Sequence, residues 1–76
     1  MTSVLEILKG IRPEFDFSTS ADFIADGMLD SFDVVTLISE LDAKFAISIA
    51  GTDILPENVR SVAAIEALLR KYGVAP

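Results

Sequence analysis

The sequence predicts an all-α fold: a small bundle of three main helices, one short helical turn before the last of them, and a long first loop. Three observations predict it. Apolar residues recur at helical spacing in three separate segments, no two segments alternate as a pair of strands would, and 51% of the residues are apolar. At 76 residues there is room for one domain, residues 1–76, with one core.

The first stripe is Val4, Ile7, Leu8 and Ile11, at i, i+3, i+4 and i+7. Ser3 is placed to cap it, while Gly10 and Pro13 mark its end, so a helix is expected from about Thr2 to Arg12. Residues 13–30 then show no sustained helical period. Loops beyond about 12–15 residues are uncommon in small domains and tend to be functional or well packed. Phe15, Phe17, Phe23, Ile24, Met28 and Leu29 lie within this one, which predicts a loop wrapped over the core.

The strongest helix follows. Val34, Leu37, Ile38, Leu41 and Phe45 form one apolar face, and the helix is expected from Ser31 to about Phe45. Asp30 is a good N-cap, and Asp33 stands at N3, where a short carboxylate can imitate a capping box. Ile47, Ile49, Ile54 and Leu55 come next, with Gly51 and Thr52 among them and Pro56 just after, an irregular stretch with one short helical turn between Thr52 and Val59. Ser61 then caps a last helix whose Val62, Ile65, Leu68, Leu69 and Tyr72 face inward; Arg70 and Lys71 suit its C-terminal dipole, and Gly73 ends it.

Composition excludes much chemistry. With no cysteine and no histidine, the chain lacks thiolate nucleophiles, thiolate zinc sites, and the commonest general base and transition-metal ligand. Twelve acidic residues against six basic ones give a net charge of −6, which disfavours nucleic acid and anionic membranes and favours protein partners with basic surfaces. The first residues lack the basic region and long apolar run of a signal peptide, and no stretch reaches transmembrane length, so a cytoplasmic monomer is expected.

Chemistry concentrates where the long loop meets the second helix: Asp26-Gly27-Met28-Leu29-Asp30-Ser31-Phe32-Asp33. With Asp30 as the cap, Ser31 takes the first helical position, exposed at a helix N-terminus. Backbone N–H groups and the dipole favour a phosphate there. A cap followed by a serine is also an ordinary way to begin a helix.

This segment resembles the attachment motif of the acyl carrier protein family, a D-G-x-x-D-S-[LF] pattern. The resemblance extends over nearly the whole chain. An apolar first helix, a long loop, the Asp-Ser-led second helix and a short third segment stand in the family's order, and Pro56–Val62 is similar to the approach to its final helix. It implies a four-helix bundle whose serine receives covalent 4′-phosphopantetheine from coenzyme A. Ser31 would be the attachment residue, Asp30 would cap the helix and be read by the phosphopantetheinyl transferase (the holo synthase), and Phe32 would adjoin the site. That transferase would supply metal and base, so the chain itself would be no enzyme and would hold no metal. Acyl or aminoacyl intermediates would ride as thioesters on the arm, presented to partner enzymes in fatty-acid, polyketide, nonribosomal-peptide or D-alanyl-type pathways.

The second helix resembles the family's recognition helix. No basic residue occurs between Arg12 and Lys44, and Asp33, Val35, Glu40 and Asp42 are expected to dock loading and transferring enzymes through basic surfaces. The third segment keeps only Asp53 and Glu57 as acids, with Arg60 close by, a departure from the acid-rich segment of the family's fatty-acid members, and Pro56–Val62 more closely resembles stand-alone aminoacyl, peptidyl or polyketide-type carriers. Two other readings compete. An unmodified acidic helical interaction module shares every structural feature and differs only in the fate of Ser31. A calcium-binding hand beginning at Asp22 would place Asp26, Gly27, Asp30 and Asp33 at ligand-loop positions, but it has Ile24 at its third position and a short Asp at its twelfth.

Overall fold

The computed structural model describes residues 4–19 and 21–75. Four α-helices occur among them, α1 (Val4–Ile11), α2 (Ser31–Phe45), α3 (Pro56–Val59) and α4 (Val62–Lys71), with no strand. Single 3₁₀ turns at Phe17–Thr19 and Gly51–Asp53 were not expected from the sequence. α1 packs on α2 and α4, and the short α3 packs on α4.

α1 stops at Ile11, one residue short of expectation, because the residue before a proline is driven out of the helical region. The Arg12 N–H still donates to the Leu8 carbonyl at 3.0 Å. Thr2 and the expected cap Ser3 lie outside the described residues. α2 has the expected bounds, with Leu37, Ile38 and Leu41 buried and Val34 and Phe45 partly so. It ends at Ala46, which takes a left-handed conformation with φ +54° and donates its N–H to the Asp42 carbonyl. α4 is capped by Ser61, whose hydroxyl accepts the Ala64 N–H at 3.1 Å.

The long loop belongs to the core. Phe17, Phe23, Met28 and Leu29 are buried with Leu8, Leu37, Leu41, Val59, Ile65 and Leu69, whereas Phe15 keeps about a third of its surface exposed. Phe23 is its hub. Its ring meets Phe17 edge-on at 4.9 Å, its N–H donates to the Arg60 carbonyl at 2.6 Å, and its carbonyl accepts from Met28 and Leu29. Asp22 Oδ1 accepts from the N–H groups of Ile24 and Ala25, which shapes the turn beside it.

The segment between α2 and α4 is tied at Asp53. Lys71 Nζ donates to its Oδ1 at 2.7 Å and the Tyr72 hydroxyl to its Oδ2 at 2.5 Å, while the Ala50 N–H donates to that same hydroxyl. The lysine hydrogen bond first, and the tyrosine second, hold the Asp53 carboxyl below the ordinary carboxylate range. A carboxylate whose pKa folding depresses adds stability above its unfolded value, and that stability is lost as pH falls through the folded value. Asp53→Asn is therefore expected to be less stable than the parent at pH 7, with the two urea midpoints converging below about pH 4. An equal gap at both pH values would show that Asp53 acts by hydrogen bonding alone.

Candidate functional site

The approach to Ser31 is built by the loop. Gly27 turns the chain at φ +70°, a conformation that costs residues with a Cβ. Buried Met28 and Leu29 then anchor the next two positions against the core. Asp30 follows in extended conformation, and its side chain accepts the Asp33 N–H at 2.8 Å while Asp33 Oδ2 accepts the Asp30 N–H at 3.2 Å. This reciprocal capping box brackets Ser31, which lies exposed at the first helical position. Its hydroxyl has no hydrogen-bond partner among the described residues.

The box is tied to α1. Arg12 Nε donates to Asp33 Oδ2 at 2.8 Å, and its two terminal nitrogens lie 3.5 Å from Asp30 and 3.4 Å from Glu14. The Asp33 backbone N–H, and to a lesser degree the Arg12 charge, keep the Asp30 carboxyl below its ordinary range. Asp30 is therefore ionised beside Ser31 at neutral pH.

An open cavity of about 370 Å³ begins at Ser31 and runs between the start of α2 and the segment around α3. Leu29, Val34, Val35, Ile54, Leu55 and Val59 line it, with Asp30 and Ser31 at its polar edge. Phe32 and Val35, 78% and 62% exposed, flank the serine on α2, and Leu55 at 41% faces it from the other wall. On the other side, Phe32 edges a second groove of about 600 Å³ between α1 and α2, with Glu6, Glu40 and Lys44 along it.

The expected docking residues separate. Val35 and Glu40 are exposed on α2. Asp33 is not: its side chain is 9% exposed and turned inward to close the capping box under Arg12. Asp42 is partly buried and accepts the Ile49 N–H at 3.0 Å, holding the chain after the α2 cap. Both were expected on the docking face from the resemblance of α2 to a recognition helix and from the absence of basic residues between Arg12 and Lys44. Arg12 and Leu55 were missed as site residues. The signal for Arg12 was its place as the last cation before a long anionic stretch; Leu55 had none beyond being a large apolar residue before Pro56.

A family model described as a phosphopantetheine attachment site matches residues 2–69. The chain belongs to that family. No curated protein and no solved structure matches it. The phosphopantetheine-attachment family carries covalently bound 4′-phosphopantetheine, and its domains are carriers that do not themselves catalyse. The residues here fit that group: an unengaged hydroxyl, the positive end of a 15-residue helix to face a phosphodiester, and an adjoining apolar cavity.

The acids weighed as calcium ligands have other work. Asp22 shapes a turn, and Asp30 and Asp33 cap the same helix end. Among the described residues no three acidic side chains converge as a cation site, and no helix is long and apolar enough to cross a membrane.

Proposed function

We propose that this carrier holds its phosphopantetheine on Ser31 and presents acyl or aminoacyl cargo to partner enzymes. The observation that carries the reading is the placement of Ser31: exposed, unengaged, and bracketed by a capping box at the head of a helix. In loading, Ser31 Oγ bonds to the phosphorus of coenzyme A that bears the pantetheine. The bond to adenosine 3′,5′-bisphosphate breaks, and the serine proton passes to a base of the transferase. Once attached, the arm supplies the terminal thiol on which cargo is held as a thioester. The chain's own residues bind and orient. Asp30 caps the helix and marks the site for the transferase, while Val35 and Leu55 flank the arm's path along the apolar cavity.

Docking to synthases and acyl-handling enzymes is assigned to Phe32, Val35 and Glu40 on α2. An exposed aromatic beside an acid suits a partner that offers an apolar pocket rimmed by basic side chains. Asp42 adds its charge to the field of this face, with one oxygen committed to Ile49. The working compartment is the cytoplasm, and the carrier acts as a monomer.

The test is intact mass after incubation with coenzyme A, magnesium and a broad-specificity phosphopantetheinyl transferase, followed by fragmentation. A gain of one phosphopantetheine mapped to Ser31 is expected. No gain with several transferases would instead leave an unmodified interaction module.

A further inference from the structure

Asp33 is the one buried charged residue among the described residues. A carboxylate withdrawn from water is costly without a countercharge. Arg12 provides it from the end of α1, across 21 residues of sequence, at 2.8 Å. The same Asp33 oxygen accepts the Asp30 N–H, and Asp30 accepts the Asp33 N–H in return. Ser31 lies within the ring these bonds close, so whatever fixes residues 30 and 33 fixes the backbone on both sides of its hydroxyl.

We infer that Arg12 is a positioning residue for loading: through Asp33 it sets the orientation in which α1 and the first turn of α2 offer Ser31 to the transferase. The inference rests on the carrier reading of Ser31. An arginine fork can reach Asp33 while lying beside Asp30 and Glu14; a lysine, with one point of charge, reaches one of them.

The sign of the effect separates positioning from surface charge. Removing a cation makes the α2 face more acidic, which on charge grounds favours a basic transferase and lowers KM for the carrier. Loss of orientation lowers kcat instead. The experiment uses the full chain, with Arg12→Gln, Arg12→Lys, Asp33→Asn and the double variant Arg12→Gln/Asp33→Asn. Steady-state loading kinetics and backbone amide exchange by NMR are the two readouts.

For Arg12→Gln, a roughly tenfold fall in kcat is expected, with KM unchanged or lower, since small misplacements of a reacting group cost one to two orders of magnitude. The amides of Asp30 and Asp33 should exchange faster while that of Leu41 in the core does not. Arg12→Lys should recover part of the rate, and the double variant should be no slower than Arg12→Gln, because both changes cut one linkage. A kcat within twofold of the parent overturns the inference, whether or not exchange speeds up. If Arg12→Gln does not fold, Asp33→Asn decides: it keeps the arginine but breaks the charge pair, and an unaltered kcat there is equally fatal. Wild-type protein that takes no phosphopantetheine at all overturns the carrier reading itself, and this role with it.

Discussion

Replacing Phe23 with alanine is expected to cost about 3–5 kcal/mol, the range for deleting a fully buried aromatic. Phe23 is 0% exposed and sits where the long loop, the Phe17 ring and the junction of α3 with α4 meet. The backbone bonds to Arg60, Met28 and Leu29 survive the change in principle. The ring that keeps water from them does not. Domains of ordinary stability have only about 5–15 kcal/mol in total, so most of the margin would be lost. In a chain of this size each kcal/mol shifts Tm by about 4–8 °C, which puts the expected fall at more than about 12 °C. Thermal and urea denaturation followed by circular dichroism measure it. A loss under about 1.5 kcal/mol would mean that the loop rests on the core without completing it.

Ser31→Ala is expected to abolish loading and leave the fold alone. The hydroxyl has no partner among the described residues, and alanine is well tolerated at an exposed first helical position, so stability should stay within about 0.5 kcal/mol. The capping box of Asp30 and Asp33 does not involve the Ser31 side chain, so the helix should begin where it does now. Intact mass and a urea curve on the same preparation decide it. Residual phosphopantetheine on the variant would place the attachment on another hydroxyl. An unfolded variant would show that Ser31 is not the free first-turn residue described above. Together the two substitutions separate the scaffold from the attachment chemistry, since Phe23 lies inside the loop that delivers Ser31 but is itself buried.

Local signals in the chain carried the site a long way. The start of α2, its cap and the N3 acid follow from short-range hydrogen bonding, and the structure has them where Asp30-Ser31-Phe32-Asp33 places them. The last helix begins at the expected Ser61 cap for the same reason. The aromatic content of residues 13–30 predicted a packed loop, and Phe17, Phe23, Met28 and Leu29 are buried in it. What the sequence does not show is the partners of charges that are paired with remote groups. Asp42 lies on the polar side of α2 by period, yet the left-handed turn at Ala46 swings the Ile49 N–H back onto it. Asp53 stands in an irregular stretch, and its partners Lys71 and Tyr72 arrive only when α4 packs beside it.

By itself the sequence determined the helical class, the N-terminal boundaries of α2 and α4, and the presence of a serine at a helix head inside an acidic stretch. These depend on periodicity, capping and composition, which act between near neighbours. Tertiary structure alone decided which acids reach solvent and which turn inward. It also set the second wall of the cavity at Ile54, Leu55 and Val59, and the bridge from Arg12 to the α2 cap. The physical reason is that desolvation and ion pairing are set by whichever groups folding brings together. Arg12 and Asp33 stand 21 positions apart, and the sequence between them carries no local trace of their pairing.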